Sequence, residues 1–210
     1  LAVVLILIYV VRKNFLNIPF ERDEGSYMYS GKSILDGALP FKDIGSQRLD
    51  GVFYAYALLV KIFGYTVSSM QMGFILLNLG STMMLFFLMR KLVNPFIGLA
   101  TAVFFAINSL NPFACGFTIQ SEQIVTFLIS GAFLTLVYYF DQRKIWLLIL
   151  SGILFSFAFE VKQTSAFYGM LAGLILIIKD LIEDRKNLKR VLISIFIFSM
   201  AVIIPVLIDL

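Results

Sequence analysis

Asp23 and Glu24 stand side by side in a polar stretch that also carries Arg48, while Glu122 lies at the opening of one apolar run and Lys162 at the end of another. A carboxylate and cations are the parts that glycosyl transfer from a phosphate leaving group requires. A carboxylate near the acceptor hydroxyl takes its proton as the oxocarbenium-like transition state forms. Cations hold the charge that develops on the departing phosphate. Asp23 is the candidate base, and Glu24 is placed to orient Asp23, the acceptor or a divalent cation. Arg48 can grip a phosphate through two parallel hydrogen bonds, which a lysine cannot do. Lys162 is a second candidate for the phosphate. Tyr27, Asp50 and Glu122 are candidates for lining the cavity where these groups would meet.

Each residue also has a plainer explanation. Asp23 and Glu24 fit a helix cap plus a solvated charge, and Arg48 fits an anchor to lipid headgroups. Glu160 and Lys162 fit a local neutralising pair, although residues two apart on a helix do not face each other well. Glu122 fits a helix start as well as a cavity wall. Tyr27, Tyr29, Tyr54 and Tyr56 suit sugar stacking and equally suit interfacial packing.

The elements that must carry these groups belong to a membrane. Hydrophobic residues make up 60% of the 210 and charged residues 14%, and the mean hydropathy is +0.93. Soluble domains run near 45–50% apolar and about 25% charged. The chain has no histidine and a single cysteine, Cys115. Imidazole chemistry, His-ligated zinc and an internal disulfide are therefore excluded. No Gly-rich phosphate loop of either common type is present, so a nucleotide has no visible seat. A donor that itself resides in the membrane, such as a sugar on polyprenyl phosphate, meets that constraint.

Apolar runs at Leu1–Val11, Thr66–Met89, Pro95–Leu110, Ile124–Phe140, Ile145–Val161, Thr164–Ile178 and Val191–Leu210 predict seven membrane segments. The first run is expected to be the tail of a span that begins upstream, and the chain is expected to continue beyond residue 210. The whole reads as one membrane domain, all-α, with residues 12–65 as an external loop. Asn94-Pro95 predicts a helix start, and Trp146 sits where an interfacial indole belongs. Gln71, Asn78 and Thr82 share one face of their helix, which is expected to meet other helices. Nine basic residues fall in three short loops (Arg90, Lys91, Arg143, Lys144, Lys179, Arg185, Lys186, Lys189 and Arg190), against seven spread along the first loop. That density favours the first loop outside the cell. The net charge of +4 follows from this asymmetry and calls for no nucleic-acid partner.

Two short amphipathic helices are expected in the first loop. One runs from about Gly25 to Leu35, capped by Asp23 or Ser26 and ended by Asp36-Gly37. The other, Gly51 to Phe63, is too short to span and holds Lys61, so it is expected to lie in the interface. Together they would roof a cavity around residues 40–50.

The stretch ERDEGSYMYSGKSILDGALPFKDIGSQRLDGVFYAYALLVKIFG resembles the first external loop of lipid-dependent GT-C glycosyltransferases. The likeness is to the branch of lipid A aminoarabinose transferases, protein O-mannosyltransferases and Rgt-type sugar transferases. Asp23-Glu24, the run Gly37 to Asp43, Arg48 and Ile62-Phe63-Gly64 follow the family order. Ser121-Glu122 and the segment Gly152–Phe167 are also family-like. Where the family carries a proline pair after the basic residue, this chain has Leu49-Asp50. The resemblance implies that Asp23 is catalytic and that transfer inverts the anomeric centre. It also implies a polyprenyl-phosphate sugar donor, a lipid, glycan or protein acceptor, and the outer face of a prokaryotic plasma membrane. A transporter is the rival class, but transporters place ionisable residues near the midplane of broken helices, and here they gather at one face. A catalytically silent assembly partner is the third reading.

Overall fold

A computed structural model describes the chain except for residues 46–47, 112–115, 184–187 and 210. Cys115, and Arg185 and Lys186 of the basic loops, fall outside the described residues. Within them all regular structure is helical: α1 (Ala2–Lys13), α2 (Arg22–Leu35), α3 (Pro40–Asp43), α4 (Gly51–Phe63), α5 (Val67–Leu92), α6 (Pro95–Ser109), α7 (Ser121–Gln142), α8 (Ile145–Val161), α9 (Ala166–Glu183) and α10 (Leu188–Asp209). The protein is an all-α polytopic bundle, as its composition requires. In hydrocarbon every backbone group must be satisfied within its own segment, which helices alone achieve without closing a barrel.

Local sequence sets the helix starts. The Asn94 side chain accepts from the Ile97 amide at 2.8 Å, and Pro95 takes the first turn of α6. Thr66 accepts from the Ser69 amide at 3.2 Å to open α5. Among the described residues four segments are long and apolar enough to cross a membrane: Val67–Leu92, Ser121–Gln142, Gln163–Glu183 and Leu188–Leu207. Helices α1, α6 and α8 coincide with expected runs, but at 12, 15 and 17 residues they fall short of that length. The Thr164–Ile178 run is longer than its apolar residues suggest. A 3-10 turn, Gln163–Ser165, leads into it, and the helix continues through Lys179 and Asp180 to Glu183.

The long helices alternate in direction, so their ends fall into two groups. One end gathers the C-terminus of α1, helices α2 to α4, the α6–α7 loop and the α8–α9 turn. The other gathers the α5–α6 and α7–α8 connections, the end of α9 and the start of α10. The buried apolar residues form two cores. Tyr27, Phe53, Tyr56, Phe74 and Ile119 form the core beneath the first loop; Leu136, Leu148, Phe155, Leu176 and Phe198 form that of α7 to α10. Gln71, Asn78 and Thr82 are all buried, so their shared face does meet other helices.

Helix α4 has 13 residues, roughly 20 Å at 1.5 Å per residue, too short to cross the bilayer. It buries Phe53, Tyr56 and Val60 while exposing Tyr54, Leu58 and Ile62. Helix α2 crosses it at Gly31, where an added Cβ would lie 2.6 Å from the Ala57 nitrogen. Only a residue without a side chain allows that approach.

Candidate active site

Helix α2 begins three residues before the expected Gly25, and its cap is neither Asp23 nor Ser26. Glu21 is the N-cap, because Glu24 three residues on reaches back to it. One Glu24 carboxylate oxygen accepts from the Glu21 amide at 2.9 Å, and the other accepts from the Ile119 amide at 2.7 Å. Glu24 is only 1% exposed and ties the first loop to the α6–α7 loop. Burial holds its carboxyl above the usual carboxylate range, against the opposing pull of the Glu21 and Ile119 amides.

Asp23 is one residue away, about 100° around the helix, and its side chain is 47% exposed. It accepts from the Arg48 guanidinium at 2.8 Å. Tyr27, four residues on, lies on the same face of α2, so Arg48 also rests over the Tyr27 ring, 4.8 Å from its centre. Tyr27 is buried against Phe53 and Tyr56, with ring centres 6.2 and 5.2 Å away. The Tyr56 hydroxyl donates to the Ile119 carbonyl. Burial first, then the charges of Glu24, Glu122 and Asp23, push the Tyr56 phenol up, while Arg48 pulls it down.

Lys162, the residue that ends α8, pairs with Glu122 in the first turn of α7. The pairing of Lys162 with Glu160 considered from sequence is not the one formed. Glu160 turns inward, 5% exposed, against the start of α4. A Cβ on Gly51 would sit 2.3 Å from the Glu160 Cβ, so glycine lets α4 butt against the end of α8.

Beside Glu122 a cleft of about 520 Å³ opens among α1, α5, α6 and α7. Its walls include the polar residues Arg12, Asn78, Asn108, Gln120, Glu122 and Thr126, although most of the surface they present to it is apolar. Arg12, 3% exposed, closes one wall by donating to the Ser109 carbonyl at 2.7 Å and the Gly116 carbonyl at 2.6 Å. Gln120 donates to Glu21 at 3.1 Å, joining this loop again to the start of α2.

Asp23, Arg48, Glu122 and Lys162 therefore sit at one end of the bundle as two half-exposed ion pairs. Tyr27 and Asp50 are buried, 4% and 3% exposed, and of the three expected lining residues Glu122 alone borders the cleft. Burial of Tyr27 and Tyr56 leaves Tyr29 and Tyr54 as the tyrosines of that group open to a ligand. The Asp23 and Glu24 carboxylates accept from different partners, Arg48 for the one and the Glu21 and Ile119 amides for the other. Among the described residues no group of three or more His, Cys, Asp or Glu could hold a metal ion. Sequence reasoning missed Arg12 and the α6–α7 loop; an arginine directly after an apolar run was the available signal for the former.

No curated protein and no solved structure matches the chain. The family model described as dolichyl-phosphate-mannose-protein mannosyltransferase matches residues 51–208. That segment begins at Gly51 and takes in Glu122 and Lys162, while Asp23, Glu24 and Arg48 precede it. A match over more than half of an all-α membrane chain identifies its lineage: the protein belongs to the dolichyl-phosphate-mannose-protein mannosyltransferase family of GT-C membrane glycosyltransferases.

Proposed function

We propose that the protein transfers a sugar from a polyprenyl-phosphate donor to an acceptor hydroxyl at the extracytoplasmic face of the membrane, with Asp23 as the general base and inversion at the anomeric carbon. The observation that carries this reading is the Asp23–Arg48 contact at 2.8 Å. It places a half-exposed carboxylate and a bidentate-capable cation within one hydrogen bond, at the end of the bundle that also holds Lys162. A donor phosphate arriving on Arg48 competes with Asp23 for the guanidinium. Exchange leaves the phosphate on Arg48 and Lys162, and it frees Asp23 to accept the proton of the attacking hydroxyl. The anomeric carbon–phosphate oxygen bond breaks as the new glycosidic bond forms, and the lipid phosphate leaves with its charge already neutralised. Glu24 acts as a positioning residue, because both its oxygens are engaged by backbone amides and it fixes the turn that presents Asp23.

Asp23→Asn keeps size and removes both the charge and the capacity to take a proton. In the reconstituted intact protein, turnover of a polyprenyl-phosphate sugar should fall by roughly a hundredfold or more, the usual scale for loss of a general base. Thermal stability should change little, since the exposed pair contributes at most about 1 kcal/mol. Normal turnover in this variant would remove Asp23 from the mechanism.

A further inference from the structure

The α6–α7 connection reaches α2 through consecutive residues, and its start is held by a buried cation with no anion beside it. Arg12 donates through one guanidinium nitrogen to two backbone carbonyls, Ser109 at 2.7 Å and Gly116 at 2.6 Å. It is 3% exposed, its Nε has no hydrogen-bond partner, and among the described residues no carboxylate pairs with it. The run from Leu110 to Gln120 contains no acidic residue that could do so. A buried charge on those terms is costly unless dipoles offset its lost hydration. Ser109 supplies one, because it is the last residue of α6. Its carbonyl is among those a helix leaves unpaired, and it lies at the negative end of the helix dipole.

The second carbonyl can approach because residue 116 is glycine. A Cβ there would lie 2.4 Å from the Ser109 carbonyl oxygen and 2.9 Å from that of Asn111. Arg12 thus staples the end of α6 to the stretch that follows. From Gly116 onward every residue is anchored. Phe117 packs on Phe15, with ring centres 4.3 Å apart, and Gln123 donates to the Thr118 carbonyl. Ile119 donates to Glu24 at 2.7 Å and accepts from Tyr56. Gln120 donates to Glu21 at 3.1 Å. Glu21 and Glu24 bracket Asp23, and Glu24 closes their turn by accepting from the Glu21 amide. The carboxylate at position 23 therefore takes its bearing from a strap whose far end is Arg12.

We propose that Arg12 is a positioning residue for the transfer reaction: by stapling Gly116 to the end of α6 it sets the strap 116–120, which holds the first turn of α2 and so aims Asp23. The consequence for turnover rests on the function proposed above; the strap itself does not.

Arg12→Gln removes the charge and shortens the reach, whereas Arg12→Lys keeps a cation able to serve both carbonyls. Both are compared in the intact reconstituted protein, with turnover expressed per folded molecule as judged by thermal unfolding. Hydrogen exchange at the Glu21 and Ile119 amides reports the strap directly. In Arg12→Gln those two amides should exchange about tenfold faster. Its kcat should fall about tenfold, with the donor KM within about twofold of wild type. Arg12→Lys should bring both exchange and kcat back to within about threefold of wild type. Combined with Asp23→Asn, Arg12→Gln should lower kcat no further, since both act through the same carboxylate. Gly116→Ala, which drives a Cβ against the Ser109 carbonyl, should reproduce the Arg12→Gln pattern and carries the test if that variant does not fold. Unchanged exchange at Glu21 and Ile119, or unchanged kcat per folded molecule, overturns the proposal. A kcat loss that adds in full to that of Asp23→Asn also overturns it. Normal turnover by Asp23→Asn alone, with exchange still faster in Arg12→Gln, would sink Asp23 as the base and leave the strap standing.

Discussion

The two ends of the helix bundle use the same charged groups to opposite effect. At the end away from the first loop, Arg143 reaches both Asp180 and Glu183, and Lys179 adds to Glu183 at 3.2 Å. Asp180 is 0% exposed. The Arg143 guanidinium lies 5.5 Å from the centre of the Tyr139 ring and 5.9 Å from that of Phe140. Lys91 joins α5 to α7 through Asp141. At the first-loop end the pairs Asp23–Arg48 and Glu122–Lys162 leave between a third and a half of each side chain open to solvent. A buried carboxylate cannot lose its cation without a large desolvation penalty. An exposed pair trades partners with water or a ligand at little cost. The Arg143–Asp180 pair is a clasp between helices, and the Asp23–Arg48 and Glu122–Lys162 pairs are charges held ready for exchange.

Arg143→Ala probes that difference most strongly. It leaves Asp180 buried without its principal cation, and stability should fall by about 3–5 kcal/mol. Turnover per folded molecule should stay at the wild-type level. Thermal unfolding in detergent alongside kinetics checks both parts; a stability loss below about 1 kcal/mol would put this clasp on the same footing as the exposed pairs. Arg48→Lys tests the other end, since it keeps the charge and loses the parallel grip. The donor KM should rise about tenfold, near 1.4 kcal/mol, with stability unchanged to within about 0.5 kcal/mol. Equal donor use by the two proteins would reduce Arg48 to an anchor.

The smallest effect concerns Glu24, which is buried at the first-loop end. Burial raises its pKa, so the folded state binds its proton more tightly than the unfolded state does. Stability is therefore greatest below the ordinary carboxylate range and falls as pH rises from there through the raised value. Glu24→Gln, which cannot ionise, should flatten that decline in the unfolding temperature. An unchanged pH slope would mean that the two backbone amides already compensate the buried charge.

Much of the architecture was legible because it is local. Apolar runs of membrane length, Asn94-Pro95 as a helix start and Gly51 to Phe63 as a short surface helix each depend on neighbours within a turn or two. The start of α2 was misread for an instructive reason. Asp23, Glu24 and Ser26 all suit a helix beginning, and the sequence offers several caps of similar quality. The choice of Glu21 as N-cap fits the Ile119 amide, nearly a hundred residues away, which holds Glu24 in the position that closes the turn. Arg12 was likewise invisible as a site residue, because the carbonyls it grips belong to the far end of α6 and the loop beyond.

By itself the sequence determined that this protein lives in a membrane, that it is helical, and which carboxylates and cations its first loop offers for glycosyl chemistry. Composition and periodicity suffice for that, since each residue's preference for lipid, water or helix is its own property. Tertiary structure alone decided how those charges divide. Asp23 and Glu24 are adjacent and chemically alike, yet one faces Arg48 and solvent while the other is sealed against a distant backbone. A turn of about 100° per residue sends neighbouring side chains to different surroundings, and only the packing of the other helices determines what those surroundings are.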